Sequence, residues 1–290
     1  MNDSFSFSTD AFGSTGYPEE SLRLIAGAGF THVHWCHHWN DGFFYTKSEI
    51  DDIGRLLSDL HLKLLDCHGS TYEEKCWFSL RESERLAGME LVKNRVEFTA
   101  KLGGDALVMH VFYPSSLPNL EGENLRIFNA RTQAIQTSLK ELEDFCRDRK
   151  VRLALENGRS CDDYEKCLIP LIESRPKDYV GFCYDTGHHH MVVNPEADSD
   201  FNRKNKLRDR LAERLLVTHI HDNCGEADNH WTPFRGSVDW ENVAGFLRLA
   251  HYKKPLNLEL SFANSGRVNK AQFTRDAREA LERLKKKVDS

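Results

Sequence analysis

No segment of the 290-residue chain approaches the ~20 consecutive apolar residues that a membrane span needs. The amino terminus, Met1-Asn2-Asp3-Ser4-Phe5, has no basic stretch leading into an apolar run. The expectation is a cytoplasmic protein that makes no membrane contact. Clustered positive charge is also missing. Formal net charge is −6, and the one basic run, Lys285-Lys286-Lys287, falls at the end of an expected helix, where cations complement the dipole. A phosphate-backbone binder would show a basic face, so nucleic acid is not an expected partner. The eight cysteines (36, 67, 76, 146, 161, 167, 183 and 224) contain no CxxC pair. They read as reduced, mostly buried thiols. No phosphate-cradling glycine loop, linker or low-complexity tract is visible, which points to an unphosphorylated small-molecule substrate. Homo-oligomerisation stays open.

What the chain does contain is an ordinary globular composition, 40% hydrophobic and 29% charged, too apolar for disorder. Short apolar, β-branched-rich runs recur along it, separated by segments of helical period, the alternation that marks βαβ units and a parallel sheet. The runs are Phe5 to Thr9, His32 to Cys36, Lys63 to His68, Ala106 to His110, Val151 to Glu156, Val180 to Asp185, Leu215 to His221 and Leu256 to Leu260. Helices are expected at Glu19 to Ala28, Lys47 to Leu60, Leu80 to Leu102, Leu125 to Arg149, Asp162 to Glu173, Phe201 to Glu213, Trp240 to His251 and Lys270 to Lys287. Eight strand–helix pairs in a length close to the ~250 residues of one (β/α)8 barrel select that fold over an open sheet. Residues 1–290 are expected to form one α/β domain, a (β/α)8 TIM barrel. Gly29 and Gly103-Gly104 stand where helices should stop. Asn194-Pro195-Glu196 reads as a further helix start.

In such a barrel, packed aliphatic side chains fill the interior and chemistry is carried at the carboxyl ends of the strands. Six runs end in groups suited to chemistry: Leu64-Leu65-Asp66-Cys67-His68, Leu107-Val108-Met109-His110, Leu153-Ala154-Leu155-Glu156, Phe182-Cys183-Tyr184-Asp185, Val217-Thr218-His219-Ile220-His221 and Leu256-Asn257-Leu258-Glu259. A buried carboxylate or imidazole is costly unless paired or bound to a cation. A rim carrying several of each therefore calls for a divalent metal. Any one of these residues taken alone reads as a hydrogen-bonded strand-end group; the set favours the metal. Asp185-Thr186-Gly187-His188 and Asp228-Asn229-His230 add further Asp/His pairs. Oxygen and imidazole donors without thiolate suit Mn, Co, Fe, Mg or Zn, and leave coordination positions for a substrate.

At these residues the sequence resembles the xylose-isomerase-like barrel superfamily, which includes sugar isomerases and epimerases, inosose dehydratases and the apurinic endonucleases of the endonuclease IV type. The resemblance spans essentially the whole chain. Its strongest pieces are Leu155-Glu156-Asn157, Tyr184-Asp185-Thr186-Gly187-His188, His219-Ile220-His221-Asp222-Asn223, Asp228-Asn229-His230 followed by Gly236-Ser237-Val238-Asp239-Trp240, and Leu258-Glu259. By analogy with the epimerase branch it implies a metal shell of Glu156, Asp185, His219 and Glu259. The further ligands of the endonuclease branch correspond to His68, His110, His188, Asp228 and His230, expected here to hold a second metal or to bind substrate. The segments after His68 (Gly69-Ser70-Thr71-Tyr72) and after His110 (Val111-Phe112-Tyr113) depart from the endonuclease pattern.

The resemblance implies a metal-dependent isomerase or epimerase of a sugar or keto-polyol. Glu156 and Glu259 are expected as the acid/base pair that removes and returns a proton beside a metal-chelated carbonyl, through an enediolate. A dehydratase or lyase of the inosose or 3-keto-sugar type, and a multinuclear zinc phosphodiesterase, stay open as alternatives. His221 and Asp222 are expected to orient His219 and close the strand end. Arg235 is expected either to reach a substrate oxygen or to be solvated. Trp35, Phe44 and Trp77 either stack on a sugar or pack the loops. His189 and His190 read as solvated loop histidines. Alternation turns His32, His34 and Cys36 to one face, but the sequence shows no partners for them, and His32, His34, His37 and His38 are left without a role.

Overall fold

A computed structural model describes residues 4–70, 72–193 and 200–290, so the helix start expected at Asn194 to Glu196 lies outside the described residues. Eight parallel strands, β1 (Phe5–Ser8), β2 (His32–Trp35), β3 (Lys63–His68), β4 (Ala106–Met109), β5 (Arg152–Glu156), β6 (Val180–Asp185), β7 (Leu215–His219) and β8 (Leu256–Leu258), lie in the order β7-β6-β5-β4-β3-β2-β1-β8. The outer two meet through a parallel bridge between Ile220 and Leu258. There Ile220 N donates to Asn257 O (2.9 Å) and Glu259 N donates to Ile220 O (3.2 Å). These bonds close the sheet into the expected (β/α)8 barrel.

Around it run α1 (Glu19–Gly27), α2 (Lys47–Asp59), α3 (Glu82–Lys101), α4 (Gly122–Asp148), α5 (Ile169–Glu173), α6 (Thr186–His190), α7 (Phe201–Asp209), α8 (Trp240–Leu249) and α9 (Lys270–Asp289). Helix starts carry their own signals. Thr46 and Glu49 form a capping box on α2, and Asp239 and Asn269 cap α8 and α9 through their side chains. Gly29 and Gly103 follow α1 and α3 at φ +83°, a left-handed conformation that costs glycine little. Three differences from expectation are local. The segment expected as a helix over Asp162 to Glu173 is a π-helical turn, Asp163–Leu168, running into the short α5; Pro170 removes an amide donor at the junction. The helix begun at Phe201 stops at Asp209. The added α6 is capped by Asp185, whose carboxylate accepts from His188 N (2.6 Å). No helix among the described residues is long and apolar enough to cross a membrane.

Alternation along each strand sends one set of side chains outward under the helices and the other into the barrel. Phe7, Val33, Trp35, Leu107, Leu153 and Phe182 belong to the outer core, fully buried. The inner set divides in two. On β4 to β7 it is apolar, with Ala106, Val108, Ala154, Cys183, Leu216 and Val217 forming a cluster of their own. On β1, β2, β3 and β8 it is polar and equally buried: Ser6, Ser8, His34, Asp66 and Asn257. A register shift between Val33 and His34 sets His34 opposite Asp66 in the β2–β3 pairing, and His34 Nδ1 lies 2.5 Å from Asp66 Oδ1. His34 thus has the partner that the sequence did not reveal. The Asp66 carboxyl, which burial alone would raise, is held below its usual range by His34. Replacing Asp66 by Ala strands His34 in the barrel and is expected to cost about 3 kcal/mol of unfolding free energy. Urea unfolding checks this, and a loss under about 1 kcal/mol would show the pair to be dispensable.

Candidate metal centre and its cleft

Two residues beyond the inward Val108, Ala154, Cys183, Val217 and Asn257 stand His110, Glu156, Asp185, His219 and Glu259, so the two-residue period delivers all five to the carboxyl rim. There His219 Nδ1 faces Glu156 Oε1 at 2.9 Å, Glu259 Oε2 at 3.2 Å and Asp185 Oδ2 at 4.0 Å. Ligand atoms about 2.1 Å from one divalent ion stand roughly 3.0–3.4 Å apart. The first two spacings are close to that range, Asp185 stands wider, and the four ligand atoms all lie within 4.8 Å of one another. His219, Asp185 and Glu156 are essentially without solvent exposure.

Two further groups adjoin this one. Glu156 turns its other oxygen, Oε2, to His110 Nε2 at 2.7 Å and His68 Nε2 at 3.8 Å. Asp228 lies between His188 Nε2 (3.0 Å) and His230 Nε2 (3.4 Å). In three of these histidines the other ring nitrogen is engaged by a main-chain carbonyl: His68 Nδ1 donates to Gly69 O (2.8 Å), His188 Nδ1 to Asn157 O (3.1 Å) and His230 Nδ1 to Glu259 O (2.9 Å). A carbonyl only accepts, so Nδ1 carries the proton and Nε2 is presented to the rim as the ligand atom. His230 reaches its place from a left-handed backbone, φ +50°, a strain that the surroundings must hold. Its ring stacks on His221 at 4.0 Å, and His221 Nε2 bonds both oxygens of Asp185 (3.0 and 3.1 Å). Gly187 makes room for that ring, since a Cβ there would lie 1.9 Å from His221 Cε1.

The imidazoles and carboxylates shift each other's proton affinity. Burial pushes the His219 imidazole down, but Cys183, Glu259 and Glu156 outweigh it and hold it well above its usual range. His188 and His230 are each raised to about 10, because Asp185 and Asp228 beside His188, and Asp228 and Glu259 beside His230, overcome the effect of burial. Burial likewise opposes ionisation of Glu156 and Glu259. His219 prevails, helped by His110 at the one and His230 at the other, and both carboxyls lie well below their usual range.

Over this floor opens a cleft of about 460 Å³, within the span of small-molecule sites. Trp39, His68, His110, Tyr113, Arg159 and Glu259 are among the residues that line it. Trp39 stands 4.8 Å from the His68 ring and 5.6 Å from that of His110, and Arg159 pairs with Asp228 at 3.1 Å. The sequence did not single out Trp39, Tyr113 or Arg159, which lie in loops after β2, β4 and β5. The aromatic residues it did single out lie elsewhere. Trp35 is buried outside the barrel, donating to Tyr45 Oη (2.8 Å) and packing on Phe98 at 5.4 Å. Trp77 is buried as well, and its Nε1 donates to His110 O (3.2 Å), so it fixes the strand end from behind. Phe44 is exposed beneath the Lys75 ammonium, 4.7 Å away. Arg235 is exposed and does not line the cleft.

Other histidines also differ from expectation. His189 is buried rather than solvated. Its Nε2 donates to Asn205 Oδ1 and its Nδ1 accepts from Tyr164 Oη, both at 2.9 Å, and burial with Arg208 and Lys204 nearby keeps it well below the usual imidazole range. His190 is half-buried against Ser237 Oγ (2.8 Å). His221 binds Asp185 rather than His219, while Asp222 closes the strand end by accepting from Val238 N (3.0 Å) and Trp240 Nε1 (3.1 Å). The cluster on β2 splits up: His32 meets Thr31, His37 meets Thr9, and His38 pairs with Asp41 at 2.7 Å.

Comparison with known proteins agrees with this architecture. The family model for the xylose isomerase-like TIM barrel matches residues 22–287. The chain belongs to that family. It is 30% identical over 260 residues to the uncharacterized protein y4fM of Sinorhizobium fredii, an alignment covering 82% of this chain and 79% of the relative. Among solved structures it is similar to the 3-keto-D-glucoside 4-epimerase YcjR of E. coli, with TM-score 0.67, 17% identity, and coverage of 97% of this chain and 99% of that one. It is also similar to a D-psicose 3-epimerase determined in the presence of D-fructose, with TM-score 0.74, 16% identity, and coverage of 99% and 100%.

The donor set and its spacing fit a divalent cation held by Glu156, Asp185, His219 and Glu259, and the two histidine groups beside it have donors for more. In the ion-free protein such an ion must displace protons from histidines whose folded pKa lies above the free value of 6.5. Affinity for Mn is therefore expected to rise between pH 6 and 9, with protons released on binding. Calorimetry in buffers of different ionisation enthalpy measures this; a pH-independent affinity without proton release would contradict it. The same shifts stabilise the ion-free fold fully below pH 6.5. That contribution is expected to be lost as pH rises through about 10.

Proposed function

We propose that this protein is a divalent-metal-dependent isomerase or epimerase acting on a sugar or keto-polyol. The observation that carries the reading is the double position of Glu156 and Glu259. Each meets His219 Nδ1 in the metal cluster, and each also lines the open cleft. A bound divalent ion would polarise a substrate carbonyl and chelate the hydroxyl beside it. The protein's own groups do the rest. His219 favours the ionised form of both carboxyls, the form a general base needs. One, as carboxylate, removes the proton on the carbon next to the carbonyl; the other enters the step carrying a proton taken from solvent and delivers it to the opposite face, and exchange with solvent resets the pair. Trp39 shields the site on one side, and His188 and His230 border the substrate oxygens on the other. The similar structures, a 3-keto-D-glucoside 4-epimerase and a D-psicose 3-epimerase, support this substrate class.

A specific observation favours a second reading. The carbonyl-fixed tautomers of His68, His188 and His230 furnish donors for more than one ion, as a multinuclear phosphodiesterase would require. A dehydratase or lyase would use the same rim with a proton donor placed at the β carbon. One experiment separates the three: metal-loaded protein in deuterium oxide with a panel of ketoses and 3-keto sugars, alongside a phosphodiester substrate. The expected result is a stereoisomer or aldose carrying solvent deuterium on the carbon beside the carbonyl. An unsaturated product would favour the dehydratase, and phosphodiester cleavage without deuterium exchange would overturn the proposal. Glu156→Gln and Glu259→Gln are each expected to lower kcat by about 10²–10⁴ with the fold intact by circular dichroism. Retention of full kcat in either variant would remove that residue from the acid/base pair.

A further inference from the structure

The cleft over the metal cluster is not the only space that Glu259 borders. A second chamber of about 550 Å³ opens on its other side, walled by the loops after β1 and β8, and shares Trp39, His230 and Glu259 with the first. Trp39, His230 and Glu259 therefore stand where the two chambers adjoin, beside the carboxylate–histidine rim.

The second chamber is built rather than incidental. Phe262 N donates to Ala11 O (3.0 Å), tying the β8 loop to the β1 loop. His38 N donates to Ser14 O (2.8 Å), tying the β1 loop to the β2 loop, and Ser261 N donates to His230 O (3.0 Å). Its wall carries an aromatic pair, Phe12 and Phe262, at 5.6 Å, with Asp10, Asn40, Ser261 and Asn264 as polar groups around it. Aromatic faces beside carboxylate, amide and hydroxyl groups suit a sugar ring, whose C–H faces pack on the aromatics while its hydroxyls donate and accept. No lysine or arginine lines this chamber among the described residues; the His230 imidazole on its wall is paired with Asp228 (3.4 Å) and Glu259 (3.9 Å), and Lys270, over the Phe12 ring, with Glu20 (2.9 Å), so each cation near the chamber already has a carboxylate partner and a neutral ligand suits it better than a phosphate. A single hexose held over Glu156 and Glu259 uses one chamber and leaves the other empty.

We propose that the chamber between the β1 and β8 loops binds the second, neutral sugar unit of a keto-glycoside whose reacting ring sits over Glu156 and Glu259. This substrate class, a neutral disaccharide-sized glycoside, rests on the isomerase or epimerase reading. The test uses the metal-loaded protein and two variants, Asn40→Trp and Asn264→Trp, which place bulk in the chamber from exposed positions outside the acid/base pair and the metal cluster. Turnover is compared on a 3-keto disaccharide and on a 3-keto monosaccharide. The wild type is expected to favour the disaccharide at least tenfold in kcat/KM. Both variants are expected to lose that preference while turning over the monosaccharide within twofold of wild type. A wild-type preference for the monosaccharide, or equal losses on both substrates, overturns the proposal.

Binding of the unreactive parent disaccharide, followed by saturation-transfer NMR, keeps the chamber testable if no turnover is found. Saturation of both rings in the wild type, and of one ring only in the variants, upholds the chamber even if the isomerase reading fails. Saturation of one ring in every protein overturns it.

Discussion

Three carboxylates, Glu156, Asp185 and Glu259, converge on one imidazole nitrogen at the mouth of the barrel. Charges of one sign this close, and this far from water, are tolerated only with positive charge among them. Much of the surrounding structure serves that requirement. The carboxylates hold the His219, His188 and His230 imidazoles above their usual range. Main-chain carbonyls fix three rim histidines with Nε2 forward, Trp77 holds the His110 carbonyl, and Gly187 makes room for the His221 ring that bonds Asp185. The Asn157 side-chain amide accepts from Asp185 N (2.9 Å) and donates to Asp185 O (3.1 Å), which locks the end of β5 to the end of β6.

The interior of the barrel is organised around the same centre. Beneath the half of the rim built by β4 to β7 lies an apolar layer; beneath the other half lie the buried His34–Asp66 pair and Asn257. His34 comes within 4.6 Å of the His219 ring, so the polar layer abuts the carboxylate–histidine cluster from below. A buried pair of this kind is a weak source of stability in itself. Its place here is to fix the orientation of the groups above it.

The strands, most helices and the rim residues were legible because each follows from a period. Apolar alternation located the strands, and the same two-residue step that buries Ala154 and Val217 raises Glu156 and His219. The partner of His34 was hidden because a register shift in the β2–β3 pairing decides which side chain faces it. Trp39 and Arg159 were missed for a different reason: they sit in irregular loops, where contacts with distant residues rather than local periodicity set the direction of a side chain. For Trp35 and Trp77 the sequence left stacking on a sugar and packing as alternatives, and the structure has both packed. Both face the helix layer, one through its bond to Tyr45 and the other behind His110.

The account depends on a cation at the convergence of these carboxylates. Crystals grown with Mn, with diffraction recorded on both sides of its absorption edge, test this directly. The prediction is an anomalous peak bonded to Glu156, Asp185, His219 and Glu259. An ordered, folded crystal structure at saturating Mn with no anomalous density among those four side chains would contradict it.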